Sequence, residues 1–185
     1  MRIIAGCWRG RKLPVLPVDG LRPTGDRLRE TLFNWLAPEV VGARCLDLFA
    51  GSGALSFEAL SRGAAAVTAV DSNAAVTRSL RESAAVLATE SLEIVTAPAA
   101  DWLRCSVATP FDIVFLDPPF ADGALDEVVA LLHSGGWLQS GCLVYIERAT
   151  TASPPSLPEN WRVLRDKRAG AVRYGLYCND GGDIR

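Results

Sequence analysis

The sequence predicts an α/β domain built on a doubly wound parallel sheet. Three observations carry that prediction. From residue 44 onward, short apolar runs alternate with stretches whose apolar residues recur at helical spacing, the pattern of strand–helix–strand units. The runs have little polar alternation, so both faces of each strand are buried, as in a parallel sheet. Three of them end in residues unsuited to a core: Gly51-Ser52-Gly53, Asp71, and Asp117-Pro118-Pro119-Phe120. The carboxyl ends of strands are where such sheets bind their ligands.

The elements follow in chain order. Residues 2–18 hold two short apolar stretches around Trp8-Arg9-Gly10-Arg11, which reads as a β-hairpin or extended arm with a basic tip, broken by Pro14 and Pro17. Thr24-Gly25-Asp26-Arg27 offers an N-cap and an early acid. Leu28, Thr31, Leu32 and Trp35 recur at helical spacing, and the helix ends before Pro38. Residues 1–38 therefore read as a small extension, and residues 39–185 as the main domain. Within the latter, strands are expected at residues 45–49, 66–70, 92–95, 111–116 and 142–147. Helices are expected at residues 54–60 (capped by Gly63), 73–88, near 101–103, and 125–133. Pro154, Pro155 and Pro158 mark a loop, and strands near residues 161–165 and 171–178 close the chain.

With 185 residues and 49% apolar content, the chain has material for one domain with a small appendage, and disorder is excluded. No apolar run approaches the roughly 18 residues of a membrane span. The N-terminus is charged at once and has no apolar h-region, so a signal peptide is not expected. Five cysteines at wide spacing (7, 45, 105, 142 and 178) suggest a reducing cytoplasm rather than a disulfide framework. His133 is the lone histidine. Triad hydrolysis and His-based metal chemistry are therefore not expected, and no metal is assigned.

Net charge is −2, but its distribution is uneven. Residues 1–31 carry seven basic and three acidic side chains, residues 161–185 six and three, and residues 32–160 six and fifteen. Two basic ends flanking an acidic body suggest a polyanion footprint, or else an ordinary solvated surface.

The strand ends carry the chemistry. Glycines after a strand let the backbone approach a ligand and free the amides at the next helix start. Here the position three beyond Gly53 is Ser56, so the Gly-x-Gly-x-x-Gly dinucleotide pattern fails. Asp47, just before the loop, would repel a pyrophosphate but could face the cationic amino group of S-adenosylmethionine. Asp71 is placed to accept from both ribose hydroxyls. Either Asp71 or Ser72 could also serve as a helix N-cap. Together the two acids favour a nucleoside that carries positive charge and no phosphate.

After the fourth strand, two prolines fix a rigid turn. That turn can aim the Asp117 carboxylate and the Pro118 carbonyl at one amino group. An exocyclic base amine is a poor nucleophile, and two acceptors on its hydrogens stabilise the charge that grows as it attacks a methyl. Phe120 can stack on the base. A tight turn beside a packed Phe is the plainer alternative.

Leu46-Asp47-Leu48-Phe49-Ala50-Gly51-Ser52-Gly53 and Asp117-Pro118-Pro119-Phe120 resemble motifs I and IV of S-adenosylmethionine-dependent amino-methyltransferases. The stretches at residues 2–13 and 21–36, Tyr145-Ile146-Glu147 and residues 173–177 extend the likeness over nearly the whole chain, which resembles the bacterial RsmD family. The resemblance implies a seven-stranded class I, Rossmann-like methyltransferase fold with a small N-terminal hairpin and helix. It implies transfer from S-adenosylmethionine to N2 of one guanine in 16S rRNA, in the small ribosomal subunit or a late assembly intermediate, by a cytoplasmic monomer with no membrane partner.

It also implies a cofactor site of Asp47, Phe49, Ala50, Gly51, Ser52, Gly53, Asp71, Ser72, Ala99 and Thr24. Asp117, Pro118, Pro119 and Phe120 would form the catalytic turn, and Arg22 and Arg27 would line the cleft. The basic arm, Arg9, Arg11 and Lys12, reads as a clamp on the phosphate backbone or as a cover for the sheet edge. In one departure, Pro98-Ala99 stands where the family usually has Asp or Asn before Ala to meet adenine. That leaves the Ala99 backbone N–H for the contact. DNA adenine or protein glutamine methylation uses a similar Pro-Pro-aromatic motif, and a catalytically silent RNA chaperone would keep the same fold.

Overall fold

Among the described residues of the computed structural model (1–14, 25–119 and 124–180), seven strands form one sheet in the order β3-β2-β1-β4-β5-β7-β6. The elements are α1 (Asp26–Leu36), β1 (Arg44–Asp47), α2 (Ala54–Ser61), β2 (Ala66–Asp71), α3 (Ala74–Val86), β3 (Leu92–Thr96), α4 (Ala99–Cys105), β4 (Phe111–Leu116), α5 (Ala124–Ser134), β5 (Leu138–Ala149), β6 (Trp161–Ala169) and β7 (Val172–Asn179). Strands β1 to β5 are mutually parallel. The order reverses between β1 and β4, and that switch opens a crevice at the carboxyl ends.

The sheet departs from the all-parallel expectation at one edge. β7 runs antiparallel to both β5 and β6. Only residues 170–171 join β6 to β7, too short a link for the crossover that parallel pairing needs. Gly170 takes the positive φ of that turn, +61°.

Alternation along β4 sorts the core. Ile113 and Phe115 pack with α1, α2 and α3, including Phe33, Phe57 and Leu80. Val114 and Leu116 pack on the other side with Leu103 of α4, Val128 of α5 and Trp137 in the link between α5 and β5. α2 is buried at all eight positions, so it shows no amphipathic stripe in the sequence. Among the described residues no helix is long and apolar enough to cross a membrane.

Several expected boundaries move. β5 starts at Leu138 because a bulge near Gly141 shifts its register against β4, and it runs on to Ala149 because β7 pairs with its end. α3 is capped by Asn73, whose side chain accepts from the Ala75 N–H at 2.9 Å, and not by Asp71 or Ser72. α1 is entered through Gly25 rather than an N-cap at Thr24, which lies outside the described residues.

The N-terminal arm is an antiparallel hairpin about the Arg2–Lys12 bridge: the Ile3 N–H donates to the Arg11 carbonyl, the Gly10 N–H to the Ile3 carbonyl and the Leu13 N–H to the Met1 carbonyl, each at 2.9 Å. The hairpin folds back onto α2. Glu58, fully buried, accepts from the Ile4 N–H at 2.8 Å, the Ala5 N–H at 3.0 Å and Arg62 at 2.8 Å. Ser61 accepts from the Trp8 N–H and donates to the Ala5 carbonyl. Gly6 (φ +82°) touches Ser61 so closely that a Cβ would lie 1.7 Å from its carbonyl oxygen. Arg29, 1% exposed, donates to the Arg2 carbonyl at 2.6 Å and to Asp26 at 2.9 Å, tying α1 to the arm.

Candidate active site

The carboxyl edges of β1, β2, β4 and β5, the loop before α4, the first turns of α1, and the β6–β7 turn enclose a cleft of about 1210 Å³. Its floor is acidic. Asp47 ends β1 at 1% exposure. Its Oδ2 accepts from the Ser56 hydroxyl at 2.6 Å. Its Oδ1 has no partner among the described residues. Burial, reinforced by the nearby Asp117 and Asp71 charges, pushes the Asp47 carboxyl up to about 7. Such a carboxylate, half-satisfied in a dry site, calls for a cation.

Asp71 ends β2. It accepts from the Gly51 N–H at 2.9 Å with Oδ2 and from the Asn73 N–H at 2.8 Å with Oδ1. It thereby holds the glycine loop against the end of β2. A carboxylate has about four lone-pair sites, so two amides do not exhaust it. Phe49, Ala50, Gly51, Ser52 and Ser72 line the cleft, as do Pro98 and Ala99 at the start of α4. Gly53 does not. It turns at φ +73° with its back to the core, where a Cβ would come within 2.6 Å of Leu80, so its role is packing.

Asp117, Pro118 and Pro119 follow β4 directly and line the cleft. Phe120, Arg22 and Thr24 fall outside the described residues. Arg27 lines the mouth. Arg9, Arg11 and Lys12 are exposed but are not brought to the cleft. The tip that carries Arg9 sits against the far end of α2, about 10 Å along the helix axis from its start.

Among the lining residues that do not stand out as site residues in the sequence are Glu147, Lys167, Arg168 and Tyr174. Tyr174 stacks on Trp35 of α1 (centroids 5.5 Å, 22°), and Lys167 sits 5.5 Å over the same Trp35 ring. The basic C-terminal stretch and the likeness at residues 145–147 and 173–177 were the available signals. The result is an acidic floor suited to a cationic ligand beneath a rim of Arg27, Lys167 and Arg168 suited to a polyanion. Among the described residues, no group of three or more His, Cys, Asp and Glu is placed to hold a metal ion.

Comparison with known proteins agrees with this geometry. The family described as conserved hypothetical protein 95 matches residues 1–178. The ribosomal RNA small subunit methyltransferase D of Escherichia coli K12 is 50% identical over 177 residues, covering 96% of this chain and 89% of that protein. The solved structure of Escherichia coli yhhF superposes with a TM-score of 0.91 at 49% identity, over 98% of this chain and 99% of that one. A more distant structure, SMU.776 complexed with SAH, shares the fold at a TM-score of 0.66 and 16% identity, over 81% of this chain and 49% of that one.

Proposed function

The chain belongs to the family described as conserved hypothetical protein 95, the RsmD family, and we propose that its cleft moves the methyl group of S-adenosylmethionine onto the exocyclic N2 of a guanine in 16S rRNA. It is a methyltransferase by family, and its fold is that of the S-adenosylmethionine-dependent enzymes. The observation that carries the finer reading is the meeting, across the β1/β4 switch, of buried Asp47 with its unpartnered oxygen and the Asp117-Pro118-Pro119 turn.

The residues present fit the donor. The orphaned Oδ1 of Asp47 is matched by the ammonium of its methionine part. The spare lone pairs of Asp71 would accept from the ribose hydroxyls, and the Ala99 N–H would hold the adenine edge. The bound donor supplies an electrophilic methyl on a sulfonium.

Asp117 and the Pro118 carbonyl hold the two hydrogens of the target amine. They orient its nitrogen and stabilise the positive charge that develops there. On methylation Asp117 would take the proton that the amine loses and pass it toward solvent. The base must be out of its stack to reach this depth, at a cost of a few kcal/mol. Phosphates flanking it meet Arg27, Lys167 and Arg168, while Arg9, Arg11 and Lys12 make outer contacts. The substrate is the small subunit or a late assembly intermediate, and the enzyme acts as a cytoplasmic monomer.

The test is transfer of a labelled methyl to small subunits from cells lacking this protein, followed by digestion to nucleosides. N2-methylguanosine is expected, at one site. Methylated adenosine, or label in protein, refutes the assignment. Asp117→Ala should bind the donor with near-normal affinity and lose about a hundredfold or more in transfer rate.

A further inference from the structure

Tyr145-Ile146-Glu147 has no part in the mechanism above, yet Glu147 lines the same cleft at 5% exposure. The sheet register fixes its neighbours. Leu116, the last residue of β4, pairs with Ile146, so Glu147 on β5 lies next to Asp117, the first residue past β4. On the other side Glu147 pairs with Tyr174. Residues paired in this way project from the same face at about 4.8 Å spacing between strands. Glu147 and Tyr174 therefore share one face, Asp117 just past β4 continues that row along the cleft floor, and Tyr174 is held there by its stack on Trp35.

The carboxylate of Glu147 is also held. The Tyr145 hydroxyl donates to its Oε2 at 2.9 Å. Tyr145 is itself fully buried, and burial followed by the Glu147 charge raises its hydroxyl well above the ordinary value. It remains a donor at any working pH.

A carboxylate is an acceptor only, when ionised. Guanine is the base whose Watson–Crick edge presents two adjacent donor groups, the ring N1–H beside the N2 amine. Adenine offers an amine beside a ring acceptor, which a carboxylate repels. The first acceptor of the row, Asp117, is assigned to the amine. The second stands one strand over.

We propose that Glu147 determines specificity for the target base, accepting from the guanine N1–H while Asp117 and the Pro118 carbonyl hold the amine. Tyr145 is its positioning residue. This rests on the guanine-N2 reading and adds the feature that rejects bases lacking an N1–H.

The test uses small subunits reconstituted with 16S rRNA in which the target guanine is kept or replaced by 2-aminopurine. That base retains the C2 amine but has an unprotonated N1. The wild type is expected to favour guanine by about a hundredfold or more in kcat/KM, as sites built to hydrogen-bond a substrate group reject analogues without it. In Glu147→Gln the amide can donate to a bare N1, and the preference should fall to within about tenfold. Tyr145→Phe, which removes one hydrogen bond from the carboxylate but keeps its charge, should narrow the preference by a smaller factor. Donor affinity by calorimetry verifies that each variant is folded. A merely structural role would slow both substrates equally. A wild-type enzyme indifferent to 2-aminopurine, or a Glu147→Gln enzyme with an unchanged ratio, overturns the assignment alone. A wild type inactive on the guanine substrate overturns the guanine-N2 reading and this assignment with it.

Discussion

The substitution Asp47→Asn isolates one buried charge and should change stability and binding in opposite directions. In the free protein burial pushes this carboxyl from its ordinary 3.8 up to about 7. The unfolded chain therefore releases the proton near pH 4, and the folded chain holds it until near pH 7. Across that window the native state binds more protons than the unfolded state, so stability falls as pH rises. A shift of about three units sets an upper bound of about 4 kcal/mol on the cost above pH 7. The amide of the Asp47→Asn variant keeps an acceptor for Ser56 and carries no charge, so this slope should vanish. At pH 8 the variant should melt several degrees above the wild type, since about 1 kcal/mol moves Tm by 2–4 °C at this size. At pH 4 the two should melt together.

Donor binding has the reverse sign. An ammonium on Oδ1 requires the ionised carboxylate, so wild-type affinity should drop about tenfold per pH unit below 7. The Asp47→Asn protein should bind weakly at every pH. Calorimetric titration between pH 5.5 and 7.5 keeps the donor's own amino group charged. A flat wild-type affinity over that range, or an Asp47→Asn protein that binds as well as wild type, would refute the pairing.

Asp71→Ala removes both the ribose acceptor and the tie to the Gly51 N–H, and donor binding should weaken by about 2–4 kcal/mol; unchanged affinity in calorimetry removes Asp71 from the site. Gly6→Ala places a methyl 1.7 Å from the Ser61 carbonyl at a φ of +82°. The arm must lift, and thermal unfolding should fall by roughly 4–12 °C for a loss of about 2–3 kcal/mol, while an unaltered melting curve shows that the arm is not docked as described. Lys167→Ala with Arg168→Ala should raise KM for the particle and flatten its log–log salt dependence by about 0.7 for each phosphate that the protein no longer neutralises. Arg9→Ala, Arg11→Ala and Lys12→Ala together should flatten it with no change in Tm or donor affinity. Salt slopes identical to wild type in both sets would assign RNA binding elsewhere.

What could be read from sequence was what depends on neighbours in the chain. β4 was legible to the residue because Phe111–Leu116 is an apolar run bounded by Pro110 and the Asp117-Pro118 turn. That Asp47, Asp71 and Asp117 line one cleft was legible because each ends or directly follows a strand, and parallel strands end on one edge. What could not be read depends on partners far along the chain. Glu58 looks like an ordinary helical acid, yet it is buried because its partners, Ile4 and Ala5, lie more than fifty residues away. Arg29 looks like one more cation of the basic first helix, yet it is tied up inside the protein and is closed to RNA. The strand order β5-β7-β6 decides that Lys167, Arg168 and Tyr174 reach the cleft. Composition of the last strands does not encode that order.

The same fold-level step resolves the charge pattern. An acidic body between basic ends is an odd signature for a protein that handles RNA while one looks only along the chain. In space five acids of the central segment, Asp47, Asp71, Asp117, Glu127 and Glu147, line the cleft. The two basic ends supply the rim, Arg27 from α1 and Lys167 and Arg168 from the end of β6. They are brought over one cleft by the Lys167–Trp35 contact and the Trp35–Tyr174 stack. Exposed charges are screened beyond about 8 Å at physiological ionic strength, whereas buried ones are screened much less. Floor acids therefore act on what enters the cleft and little on phosphates outside it. The acidity concentrated on the floor suits a cationic donor, and the local positive rim suits a polyanion. A chain carrying both needs no overall basic charge to bind RNA.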